Sequence, residues 1–412
     1  MEVPPAQGRH GPDMGRIRVQ TMRVPAFELE VFFGKYEFST PYLLAQSDCE
    51  AMSIDALLGL EPDAASARQD FLNTSLGYGE NNGRPDLRRA VAGLYAGMAE
   101  ENVVLFTGAQ EGIFACMNTL LEPGDHVVCM FPAYQSLYEV ARSMGCHVDF
   151  WHLRQTEQGW QGDMDELAAL LRPDTKAIVL NTPNNPTGFT LNREQTDRLC
   201  ELARQRGAWI FCDEVYRGLG WNAPSAGAKG ASGSSQAGGN APWIADAYER
   251  GISLGVLSKA YGLPGLRVGW LACRDTALME GVARYKNYLS ICGATPSEAL
   301  ALVALRHGEH LLAKNQGIIS ENLKTADAFF DRHARLFTYN RPQAGPIGFP
   351  RMRLDEPVSD FCERLAQEAG ILLLPGSVYG IKEPYFRIGY GRKTFAAHLA
   401  RFEEWLVKKG LA

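Results

Sequence analysis

At 412 residues, with 46% hydrophobic and 21% charged side chains, the chain can bury a large core and exceeds the usual span of one domain, so two or three structural units are expected. Lys and Arg number 41 against 47 Asp and Glu, and the net charge of −6 excludes a broad basic field for nucleic acid or anionic lipid; any positive site has to be local. Nine cysteines, odd in number and without a CxxC pair, suggest neither a zinc site nor a disulfide framework and fit a reducing cytoplasm. No apolar run approaches the ~18 residues of a membrane span.

Residues 1–25 are polar, with Gly, Pro and Arg and no apolar stretch, and are expected to be a flexible arm and not a secretory signal. The segment 26–70 is assigned to a small domain. From 71 to 294, strand-like apolar runs (126–132, 176–183, 209–215, 252–258 and 268–273) alternate with amphipathic stretches such as 163–171 and 193–206. Continuous apolar strands separated by helices predict a mostly parallel sheet covered on both faces, hence an α/β large domain. Residues 222–240 are rich in Gly, Ala and Ser and read as a surface insertion. Beyond 295 the pattern changes to helices over 296–306 and 320–333, short strands, and a closing helix over 394–408, which predicts a smaller α+β domain over 295–412. His307 and His310 are the one close pair of histidines that invites a metal reading; a solvated helix end explains them, and no metal is assigned.

Within this frame a series of motifs runs in a fixed order. TGAQEG at 107–112 opens a helix, where Gly lets the backbone approach an anion at the helix N-terminus. Tyr134 follows in FPAYQSLY, TPNNPTG occupies 182–188, DEVY at 213–216 closes an apolar strand, and SKAYGLPGLRVG begins with Ser258-Lys259 and carries Arg267. Arg387 comes last, in YFRIGYG. This order, from about residue 26 onward, resembles the fold type I enzymes of the aspartate aminotransferase superfamily, within the class I/II aminotransferases. The resemblance implies pyridoxal 5′-phosphate (PLP) as cofactor, an L-amino acid as substrate, and a homodimer with shared active sites; neither nucleic acid nor membrane is expected as a partner.

Residue by residue, the resemblance makes Lys259 the lysine that binds the cofactor as a Schiff base and later moves the α-proton. Asp213 becomes the carboxylate beside the ring nitrogen. Asn185 and Tyr216 hold the ring's 3′-oxygen, and Tyr134 stacks on the ring. Gly108, Ala109 and Gln110 offer backbone N–H groups to the phosphate, with Arg267, Ser258 and a Tyr78 supplied by the neighbouring subunit. Arg387 forks onto the substrate α-carboxylate, a bidentate pairing that Lys cannot reproduce, and Asn185 can touch the same group. The pattern departs from the family at Val256, where a phosphate-binding hydroxyl is often found; Ser258 stands in its place as the nearest hydroxyl.

The segment 27–50 and the string GVLSKAYGLPGLRVGW are similar to the capreomycidine synthase-like branch of the superfamily, whose members include enzymes that expel a side-chain group and close a guanidine ring. Its SDCE string at 47–50 makes Asp48 and Glu50 candidates to face a cationic guanidinium. The primary expectation is therefore an aminotransferase, with elimination and cyclisation of a guanidino amino acid as the alternative. A cofactor-sensing transcription regulator is not expected, since no basic recognition helix is found ahead of residue 26.

Overall fold

The computed structural model describes residues 24–220 and 241–411; most of the expected N-terminal arm and all of the Gly/Ser-rich insertion lie outside the described residues. Among them, eight strands form the central sheet: β1 (Val103–Phe106), β2 (His126–Phe131), β3 (His147–Thr156), β4 (Gly159–Gly162), β5 (Thr175–Asn181), β6 (Trp209–Asp213), β7 (Gly251–Val256) and β8 (Gly269–Cys273). They lie in the order β1-β8-β7-β6-β5-β2-β3-β4, with β8 and β4 running against the others. β1, β6, β7 and β8 are buried at every position or nearly so, as expected of strands covered on both faces. The fold is the α/β, mostly parallel arrangement expected, with a smaller α+β region beside it.

Helix signals behaved unevenly. Helix Arg193–Arg206 has Asn192 as its N-cap, in a reciprocal bond pair with Gln195, and ends on left-handed Gly207. The helix expected over 320–333 instead runs Gly308–Arg332. Gly308 and Gly317 dilute its apolar pattern, yet a Cβ at Gly317 would meet only open space, and an exposed helical glycine costs only about 1 kcal/mol.

The first described segment does not belong wholly to the small region. The start of helix Glu28–Tyr36 is tied to the turn after β2: Gln135 accepts from Glu28 N–H and donates to the Ala26 carbonyl. The chain then crosses over, and Tyr42–Leu43 pairs in parallel with Ile371–Leu372. Residues 44–50 continue beside the strand Phe386–Gly389, with Gly389 N–H donating to the Leu44 carbonyl and Glu50 N–H to the Gly391 carbonyl. The carboxyl ends of β1, β2, β5, β6 and β7 open toward this segment, where parallel sheets place their ligand sites.

Candidate active site

The turns leaving those strand ends and the 27–50 segment enclose a cavity of about 300 Å³. Asp213 is the last residue of β6 and faces this cavity, with Val215 N–H donating to its carboxylate. Burial pushes its pKa up to about 7, only partly countered by that bond and by the charge of Lys259. A desolvated carboxylate without a bound cation is costly, so the position favours a cationic N–H placed against it.

The TPNNPTG turn is built around its asparagines. Asn181 Nδ2 donates to the Asp213 carbonyl at 2.8 Å, and its Oδ1 accepts from Asn185 N–H at 2.6 Å, so the turn and the β6 end are locked together. Asn184 accepts from the Thr187 hydroxyl and donates to the Pro132 carbonyl. Asn185 Oδ1 then accepts from the Tyr379 hydroxyl at 2.7 Å and from Arg387 Nη1 at 3.2 Å.

Arg387 is 1% exposed. Its Nε and Nη2 both donate to the Ala45 carbonyl, at 2.9 and 2.7 Å, and Nη1 also donates to the Tyr379 hydroxyl at 2.7 Å. Among the described residues it forms no ion pair. A fully desolvated guanidinium held only by neutral oxygens is an incomplete arrangement that an incoming carboxylate would complete.

Lys259 lies three residues past the end of β7, and its Nζ donates to Ser47 Oγ at 3.0 Å. Burial lowers its pKa, with Arg387 adding to the effect, while Asp48, Asp213 and Glu30 oppose it. Tyr216 is fully buried on the cavity wall, and burial raises its phenol pKa.

At the other end, helix Ala109–Leu120 begins without a side-chain cap, so the Ala109 and Gln110 N–H groups have no helical carbonyl to bond. Gly108 holds φ +81°, and a Cβ there would run into the Arg267 guanidinium. Gly108 N–H is itself turned to the Phe106 carbonyl, so of the three expected backbone donors it is the one already engaged. Arg267 Nη1 donates to Ser258 Oγ at 3.4 Å. Tyr134 lines the cavity and donates to Glu30 at 3.2 Å, its ring packed 4.9 Å from that of Phe27.

One expected residue is not brought to the cavity. Glu50 accepts from Lys393 N–H at 2.9 Å and contributes nothing to the lining, because the extended segment turns its side chain toward the 391–394 loop. Tyr78 stands 93% exposed on the surface. Asp48 does line the cavity, but its carboxylate is paired with Arg392 at 2.6 Å. Glu30, Glu37, Gln46, Ser47 and Tyr379 were not singled out by sequence. Glu30, Phe33 and Glu37 share one stripe of the first helix, a spacing visible in the sequence but indistinguishable there from a solvated face.

Residues 48–401 match the family model for class I and II aminotransferases. Capreomycidine synthase of Streptomyces vinaceus is 28% identical over 89% of this chain and 90% of its own length. A PLP-dependent aminotransferase from Streptococcus suis superposes with a TM-score of 0.84 at 32% identity, covering 94% of this chain and 99% of its own. The PLP-dependent cyclase OrfR superposes with a TM-score of 0.82 at 26% identity over 95% and 100%.

Proposed function

The chain belongs to the class I and II aminotransferases, a PLP-dependent family, and on that premise we propose that it transfers the amino group of an L-amino acid with Lys259 as its cofactor-binding and proton-moving residue. The observation that carries this reading is the unpaired Arg387 guanidinium facing the same cavity as the desolvated Lys259 amine and Asp213 carboxylate.

The donor set fits the cofactor. Ala109 and Gln110 N–H groups, Ser258 and Arg267 would hold the phosphate, with Gly108 leaving the backbone bare where they converge. Asn185 and Tyr216 would hold the ring oxygen, Tyr134 the ring face and Asp213 the ring nitrogen. When bound, PLP supplies a carbonyl carbon that takes the substrate amine and a ring that accepts the electron pair left at the α-carbon. Arg387 grips the substrate carboxylate as a planar fork. Lys259, its pKa lowered by burial, has a neutral fraction that takes the proton from the α-carbon onto Nζ. Asp213 keeps its partner N–H protonated, which keeps the ring an electron acceptor. Arg387→Lys should raise KM for amino acids by about 100-fold, the loss of one bidentate charged pairing, while leaving KM unchanged for the matching amine without a carboxylate.

A second reading is favoured by the acidic side chains around the mouth. Glu30, Glu37 and Asp48 all line the cavity, and burial raises the pKa of Glu37, with a Gln46 hydrogen bond opposing the shift and Asp48 and Glu30 adding to it through like-charge repulsion. A cationic side chain would relieve that repulsion. This supports a basic amino acid as substrate and, with the likeness to capreomycidine synthase and to a PLP-dependent cyclase, an enzyme of specialised metabolism in which proton removal is followed by loss of a side-chain group and ring closure by a guanidine nitrogen. Incubating the holoenzyme with a panel of neutral, acidic, basic and hydroxylated basic amino acids separates the readings. A 2-oxo acid with the amine form of the cofactor supports transamination; a cyclised or dehydrated product with the cofactor unchanged supports the second. Reaction with none of them overturns both. Glu37→Gln should raise KM for a guanidino substrate by about 3- to 10-fold, the scale of one partly solvated charge contact, and leave neutral amino acids unaffected.

The enzyme is proposed to act as a homodimer. Leu76 and Tyr78 stand 84% and 93% exposed, and Tyr288 90% exposed. Their two segments are joined by Asn81 donating to Asn287 at 2.8 Å and Thr295 donating to the Ser75 carbonyl at 2.8 Å, and large apolar side chains so exposed favour a contact surface there. A second copy would cover it and bring Tyr78 to its neighbour's phosphate site. A reducing cytoplasm is supported by the cysteines, which are all free thiols among the described residues. No helix among the described residues is long and apolar enough to cross a membrane.

A further inference from the structure

Ser47 has no part in the scheme above, yet its hydroxyl is the hydrogen-bond partner of Lys259 Nζ, at 3.0 Å. It is 8% exposed and also faces the Tyr216 phenol, where its hydrogen bonding counters part of the upward push of burial. A lysine has four rotatable stem bonds, and this one is attracted by the charges of both Asp48 and Asp213. Capture by either carboxylate would turn the amine aside and hold it protonated. A hydroxyl instead accepts from the amine without contributing a full charge, and Asp48 next door is already engaged by Arg392.

The position of Ser47 is fixed by the strand that carries Arg387. Arg387 holds the Ala45 carbonyl through two bonds, and Gly389 and Gly391 N–H and C=O groups bond Leu44 and Glu50 on either side. A Cβ at Gly389 would collide with the Gln46 carbonyl and one at Gly391 with that of Asp48. The carbonyl that holds Arg387 and the hydroxyl that receives the lysine amine are therefore two residues apart on one clamped segment.

We propose that Ser47 is a positioning residue for Lys259: whenever the amine is free, the Ser47 hydroxyl aims Nζ at the α-carbon of a substrate held by Arg387. This rests on the reading of Lys259 as the group that moves the α-proton. The test compares Ser47→Ala, Ser47→Thr and Lys259→Ala as holoenzymes, measuring exchange of the substrate α-proton with heavy water at saturating substrate, together with KM and Tm. In the apoproteins, the pH dependence of Lys259 carbamoylation by cyanate is read by mass spectrometry. Ser47→Ala should slow exchange about 10-fold, the worth of one hydrogen bond to a charged or reacting group, with KM within about twofold on the same scale. Its cyanate midpoint should fall, since removing an acceptor disfavours the ammonium form, and Ser47→Thr should restore both. Wild-type exchange and midpoint in Ser47→Ala, with exchange abolished in Lys259→Ala, would overturn the role of Ser47 alone. Equal losses in both Ser47 variants with a lowered Tm would assign it to structure and also overturn it. Undiminished exchange in Lys259→Ala would remove the premise together with the proposal.

Discussion

Lys259→Ala should lower kcat/KM by at least about 10⁴-fold, because on the proposed assignment one side chain supplies both covalent attachment and proton transfer, and acid–base assistance by itself contributes about 10²–10⁴-fold. Borohydride reduction of the wild-type holoenzyme should fix the cofactor's mass on the peptide containing Lys259, while the variant stays unlabelled. A labelled, active variant would sink the assignment. The cavity makes the substitution informative, since among the described residues the lysine side chain is hydrogen-bonded to Ser47 and forms no ion pair that its loss would remove.

Asp213→Asn should cost about 10²–10⁴-fold in kcat, as the ring nitrogen would, on the proposed assignment, lose the carboxylate that keeps it protonated. The apoprotein gives an independent reading. Its folded pKa of about 7 lies above the ordinary carboxylate value of 3.8, so folded Asp213 retains a proton that the unfolded chain has already released. The associated stability is complete below the ordinary value and is lost as pH rises through about 7. Apo Asp213→Asn should then match wild type at low pH and exceed it at pH 8 by about 1–3 kcal/mol, a range discounted for the nearby Lys259 charge. Thermal melts of both apoproteins at pH 5 and pH 8 check this; a pH-independent difference would refute it. With the cofactor bound the sign reverses, because a cationic partner favours the ionised carboxylate.

The parts legible in the sequence were those where local chemistry and position coincide. Asp213 ends an uninterrupted apolar strand, TPNNPTG announces a tight turn, and Gly108 opens a helix; Asp213, Asn185 and the helix's first residues Ala109 and Gln110 all line the cavity. What could not be read was the path of residues 26–50. The sequence assigns them to a small domain without indicating a path, and their partners are Gln135 and residues 371–391, more than a hundred positions away. Without that path Glu30 and Glu37 look like solvated charges, Ser47 like any serine, and Glu50 like an equal of Asp48. Tyr379 was missed for a similar reason: a tyrosine after a Pro-Gly-Ser turn has no signature until Arg387 and Asn185 are seen to converge on its hydroxyl.

The parallel pairing of Tyr42–Leu43 with Ile371–Leu372 also imposes an order of assembly. During synthesis the central sheet is complete once Cys273 has emerged, and with it the backbone amides, Asp213, Lys259 and Arg267. Residues 44–50 must wait for a strand made more than three hundred residues later before Ser47 and Ala45 take their places, a closure over a very long loop. On the proposed assignment, most of the groups that would hold the cofactor are therefore synthesised well before the segment that would position a substrate.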